Sequence, residues 1–175
     1  ETPLLRLITL ARLKMNPLKD EYNLSDLDQP WIEVDYAANS LKAYKKKHGL
    51  FDYTDMLELF ADTAHVACPQ FKLAMLDEAQ DLSPLQWKIA HAIDGRSERM
   101  YCAGDDDQAI YKWSGADVEH FINLDGGSEV LEQSYRVPSN IHAIAERICG
   151  RIKRRFPKKY LPKKADGKLE RLTDF

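Results

Sequence analysis

Apolar residues recur along this chain in helical steps up to about residue 67 and in short, dense runs after it. From Pro3 to Met15, the residues Leu4, Ile8, Ala11 and Met15 fall on one helical face, and Asn16-Pro17 stops the run. Residues 17–29 are polar and read as a loop. Asp28 is placed to cap a second helix, with Pro30 near its first turn and Gly49 as its stop after His48. Its apolar face is thin (Ile32, Tyr36, Leu41 and Tyr44), so it calls for a partner helix. A third helix is predicted over residues 53–66. Asp52 or Thr54 caps it, Met56, Leu57, Phe60 and Ala64 face inward, and Cys68-Pro69 closes it.

After residue 70 the units shorten. Residues 71–76 predict a buried strand that ends in Asp77-Glu78. Pro84 opens a helix that runs to Ile93 and buries Leu85, Ile89 and Ile93, and Asp94-Gly95 turns the chain. Residues 99–103 predict a second strand ending in Gly104-Asp105-Asp106-Asp107-Gln108, with a helix over residues 117–123. Residues 129–132 predict a third strand, ending at Gln133-Ser134-Tyr135-Arg136. Ser139 is placed to cap a helix from 140 to about 155, with Ile141, Ile144, Ala145 and Ile148 inward. Strand alternating with helix three times predicts an α/β fold with one parallel sheet and right-handed crossovers. The three polar strand ends would then share one edge, where open α/β sheets bind ligands.

That edge collects Asp77 and Glu78 from the first strand, Asp105, Asp107 and Gln108 from the second, and Tyr135 and Arg136 from the third. Carboxylates suit magnesium, a guanidinium suits phosphate, and a ring suits a base, so the inventory fits a metal-nucleotide. Tyr111 and Trp113 flank Lys112 in a segment leaving the same edge. Rings beside a cation can stack on unpaired bases, although most aromatic rings are core, and both readings stand here. The four acids Asp77, Glu78, Asp105 and Asp107 also admit a two-metal nuclease site.

Composition adds location and charge. Apolar residues make up 44% and charged residues 30%, which describes a globular, soluble chain. No run reaches membrane-spanning length, and the interleaved charged and apolar residues near residue 1 do not read as a signal peptide. Three cysteines without metal-ligand spacing read as reduced thiols in a cytoplasmic protein. A first residue other than Met suggests a piece of a longer polypeptide. The net charge of −3 conceals a basic stretch: residues 151–168 hold nine Lys or Arg against Asp166 alone. Such a segment is either a polyanion-binding surface or a solvated tail.

The stretches DEAQDLSPLQ, AGDDDQAIYKWSGAD and LEQSYRVPSNI resemble the second, third and fourth motifs of the UvrD/Rep family of superfamily 1 DNA helicases, and FDYTDML resembles the segment ahead of the second motif. The resemblance covers roughly residues 50–155 and implies part of a RecA-like P-loop NTPase core that uses ATP and magnesium to step along single-stranded or partly duplex DNA. It implies that Asp77 holds magnesium and that Glu78, beside the metal, activates water. It implies that Gln108 meets the γ-phosphate or the attacking water, that Tyr135 stacks on adenine, and that Arg136 reaches the γ-phosphate. Asp105 would belong to the nucleotide site, Tyr111, Lys112 and Trp113 to the DNA site, and Gln86 would help position the network. Residues 1–50 would be part of an inserted helical subdomain, 51–133 the second half of the first ATPase domain, and 134–175 the start of the second.

Three positions depart from the family pattern: Ser114 stands for a phosphate-contacting Arg, Ser134 for Asn and Ala109 for Ser. No Gly-x-x-x-x-Gly-Lys-Ser/Thr loop occurs, so the chain by itself lacks a primary phosphate cradle and is expected to be inactive without the missing portions of its polypeptide. A non-catalytic single-strand-binding module derived from a helicase is the alternative.

Overall fold

A computed structural model describes residues 2–170, which form two compact units, one running through Phe121 and the other beginning at Ile122. In the first unit, α1 (Pro3–Leu13) is capped by Thr2, whose hydroxyl accepts from Leu5 N, and buries Leu7 and Ala11. The expected loop at 17–29 contains a helix, α2 (Leu18–Asn23). It escapes apolar periodicity because its buried residue is Glu21, whose carboxylate turns inward to Lys14 and accepts from Asn16 Nδ2 at 3.1 Å. Burial raises the Glu21 pKa, but the hydrogen bonds and charge of this pair hold it below the usual range.

Helix α3 (Trp31–His48) follows Pro30 with no side-chain cap, so Asp28 does not play that part, whereas Gly49 ends the helix in the left-handed region at φ 63°. The thin face expected to pack inward is largely wrong. Val34 is the buried residue, while Ile32, Tyr36 and Tyr44 are exposed. Helix α4 (Tyr53–Ala67) opens on a reciprocal cap in which the Asp52 and Asp55 carboxylates each accept from the other's backbone N–H. Two cations fasten this start. Arg12 of α1 donates to Asp55 at 2.6 Å, to Glu58 at 2.7 Å and to Asp52 at 3.2 Å, and Lys45 of α3 donates to Asp52 and Asp55, each at 2.7 Å. Three helices thereby meet at one helix N-terminus, where carboxylates also favour the macrodipole.

Strands β1 (Ala74–Leu76) and β2 (Met100–Cys102) are parallel and in register, joined by α5 (Pro84–Asp94). Ser83 caps α5 and Pro84 fills its first turn. The core gathers Ala79, Trp87 and Ala90 with Leu76, Leu82, Met100, Cys102 and Phe121, the last from α6 (Val118–Ile122).

The third strand departs from expectation. Residues 129–132 form no strand, and Leu131 is exposed. The strand is β3 (Gln133–Pro138), and it pairs with β4 (Leu161–Lys163), not with β2. The second unit is thus its own parallel strand–helix–strand element, with α7 (Ser139–Cys149) as the crossover. Non-local pairing decides this. Leu161 N donates to Glu132 O at 2.7 Å, and the Gln133 side-chain amide donates to Leu161 O at 3.1 Å. Ser139 lies inside α7, and its hydroxyl binds Asp166 instead of capping. Of the four positions expected inward on α7, Ile144 and Ile148 are exposed. No helix among the described residues is long and apolar enough to cross a membrane.

Candidate functional site

The ends of β1 and β2 are stitched together where the carboxylates emerge. Ala103 N donates to Leu76 O at 2.7 Å, and Ala79 N returns a bond to Ala103 O at 3.0 Å. The turn between them places Glu78 at φ 51°, a left-handed backbone that a non-glycine residue adopts only under constraint. Glu78 N donates to Asp77 Oδ1 at 2.9 Å, and both side chains face solvent. The β2 loop enters a 3-10 turn at Asp106–Gln108, where Gln108 Nε2 donates to Asp105 Oδ2 at 2.6 Å.

Gln80 joins the two loops. Its side chain is 1% exposed. Its Nε2 donates to Glu78 Oε2 at 2.8 Å and to Asp81 Oδ2 at 3.2 Å, and its Oε1 accepts from Asp105 N at 3.0 Å. One buried amide therefore aligns Glu78 with the loop that carries Asp105 and Gln108. Gly104 makes room for it: a Cβ there would stand 2.6 Å from Gln80 Oε1 and 3.0 Å from Phe121 Cζ. Burial, and then the neighbouring Glu78 charge, push the Asp81 carboxyl up, opposed by the Gln80 bond. The family resemblance points to Gln86, not Gln80, as the residue that positions this network. The Gln86 Oε1 instead accepts from Ser83 N at 2.9 Å and closes the α5 cap. Gln80 stands between Ala79 and Asp81 and carries no signal of burial in the sequence.

The segment after Gln108 turns its rings outward. Tyr111 is 44% and Trp113 60% exposed, with ring centroids 6.1 Å apart. Core burial, the competing reading for both, is therefore overturned. Ser114 Oγ donates to Tyr111 O at 2.8 Å, so the residue at the family's Arg position serves its own turn. Lys112 is exposed in the same turn.

Among the expected residues, Gln80 links Glu78, beside Asp77 in the chain, to the loop of Asp105 and Gln108, and Tyr111, Lys112 and Trp113 follow in sequence. Tyr135 and Arg136 belong to the second unit. They lie within β3, not at its end, and both are exposed. The expectation of three strand ends on one sheet edge is corrected, because β3 belongs to a different sheet.

Among the described residues, no three His, Cys, Asp or Glu side chains converge as a metal site. A two-metal nuclease centre at Asp77, Glu78, Asp105 and Asp107 is not built. Magnesium asks less of a protein, needing one or two carboxylates beside water and phosphate oxygens. The exposed pair Asp77-Glu78, with Glu78 held by a buried amide, fits that requirement.

Residues 6–127 match the model of the UvrD/REP helicase N-terminal domain. The chain is 32% identical over 156 residues to DNA helicase II of Escherichia coli K12, covering 81% of this chain and 21% of that protein. It is 29% identical over 144 residues to ATP-dependent DNA helicase PcrA of Leuconostoc citreum, covering 75% of this chain and 19% of that one. The chain therefore spans about a fifth of the length of these relatives. With the family model matched across most of its length, the chain belongs to the UvrD/REP helicase N-terminal domain family.

Proposed function

We propose that this chain is the segment of an ATP-driven DNA helicase that reads nucleotide state and passes it to the DNA-facing rings. The observation that carries the reading is the Gln80 bridge, which ties Glu78 to the loop of Asp105 and Gln108 just ahead of Tyr111 and Trp113. Magnesium, held by Asp77 and Glu78, would draw charge from the phosphates of ATP. Glu78, a carboxylate whose direction Gln80 maintains, would accept the proton of an attacking water. Gln108 would orient that water or the γ-phosphate, Asp105 fixing its amide. Tyr135 would cover the adenine and Arg136 would meet phosphate charge. The left-handed backbone at Glu78 supports this reading, since strained turns gather at working sites.

The domain assignment follows the same reading. Residues 1–50 would belong to an inserted helical subdomain, 51–133 to the first RecA-like domain and 134–175 to the second. A phosphate loop would come from elsewhere in the polypeptide.

The test is ATP hydrolysis with and without single-stranded DNA, in the complete reading frame that carries these residues and in this chain alone. The complete protein should show DNA-stimulated, magnesium-dependent turnover, and Glu78→Gln should lower kcat at least about 100-fold. This chain alone should show none. DNA-stimulated turnover by the chain alone would contradict the reading. The engaged Ser114 hydroxyl favours one second reading, a non-catalytic single-strand-binding module. DNA binding without turnover by the complete protein would select it.

A further inference from the structure

Helix α1 presents a second face that its apolar pattern does not advertise. Arg6, Leu10, Leu13 and Lys14 follow one another at helical spacing, and all four meet the turn that bears Trp113. A Cβ at Gly115, whose φ is 99°, would stand 3.2 Å from Leu10 Cδ1, 3.6 Å from Leu13 Cβ and 3.8 Å from Lys14 Cγ. One turn of helix away, the Arg6 guanidinium carbon lies 4.9 Å from the Trp113 ring centroid, and Nη2 donates to Trp113 O at 3.5 Å. The ring is thus backed by a cation on one side and still 60% exposed. Arg6 itself is exposed. A guanidinium carries five N–H donors, so the bond to Trp113 O, made among the described residues, leaves capacity for a phosphate oxygen.

We propose that Arg6 is a nucleic-acid-binding residue: it backs the Trp113 ring, leaves the opposite face for an unpaired base, and donates to the backbone phosphate beside that base. Its ligand is single-stranded nucleic acid, met as base and phosphate together. The inference rests on the reading of Tyr111 and Trp113 as base-stacking rings and adds the residue that holds and charges that platform. A helix N-terminal to the motifs is thereby part of the strand-binding surface.

The experiment is fluorescence anisotropy of a labelled oligothymidylate about 16 nucleotides long, titrated with the complete reading frame across a salt series without nucleotide. Arg6→Gln should weaken binding about five- to ten-fold and reduce the slope of log K against log salt by about 0.7, one phosphate contact on a single strand. Arg6→Lys should keep the slope and lose only part of the affinity, since it retains charge but not the planar stacking group. If wild type binds and Trp113→Ala weakens binding while Arg6→Gln matches wild type in affinity and slope, the role of Arg6 is overturned and the stacking reading survives. If Arg6→Lys loses the slope as fully as Arg6→Gln, the phosphate contact is overturned. If Trp113→Ala binds like wild type, the platform reading fails, and the inference with it.

Discussion

The residue that does most to shape the candidate site is an uncharged one. Gln80 is buried to 1% exposure, yet its amide makes three hydrogen bonds to two loops. A buried polar group is tolerated when it is satisfied in this way and is costly when it is displaced. Gly104→Ala tests the arrangement without touching a proposed catalytic group. The added methyl meets Gln80 Oε1 at 2.6 Å, and the ring of Phe121 blocks its retreat. We expect a loss of about 1–3 kcal/mol in urea unfolding of the chain, from overpacking and a weakened amide. Unchanged stability would mean that the Gln80 contacts are dispensable. The placement of Asp77, Glu78 and Gln108 in the loops after β1 and β2 was legible because those loops follow apolar runs. Gln80 was not legible, because a glutamine in an acidic loop carries no periodic signal of burial.

At the scale of elements, the sequence identified helices that bury apolar faces or carry clear stops, and missed those held by charge. Helix α4 was readable from its cap and Gly49 as the end of α3, whereas α2 was not, because Glu21 is its buried residue. The expected inward face of α3 failed for a related reason: Lys45, not an apolar seam, fastens this helix to α4. The clasp has a pH signature. Burial acts to raise the Asp52 pKa, but the bonds from Lys45 and the Asp55 backbone, with the charges of Arg12 and Lys45, outweigh it and bring it down to about 2. Asp55 and Glu21 move in the same direction. A carboxylate held low in the folded state stabilises above its unfolded pKa of about 3.9, and that contribution fades as pH falls through the folded value. Stability should therefore drop between about pH 4 and 2. Asp52→Asn should remove about 1 kcal/mol at neutral pH, a modest figure because its side chain is 44% exposed and solvent screens the pairs. Thermal melts of both proteins across that range would check it, and parallel pH profiles would refute it.

At the scale of the whole molecule, the alternation of strands and helices was legible, but the partition of strands was not. Periodicity reports which face of a segment is buried and says nothing of which segment lies beside it. The pairing of β3 with β4 joins Gln133 to Leu161 across the whole of α7, and it makes two separate sheets where one was expected. Each described sheet is only two strands wide, a width that is marginal without other support. In the first, Met75 and Tyr101 stand opposite each other in register, 77% and 59% exposed. A sticky pair on a narrow ribbon invites another molecule to lie against it. Samples of this polypeptide should self-associate as concentration rises, and light scattering should show Met75→Lys staying dispersed where wild type clusters.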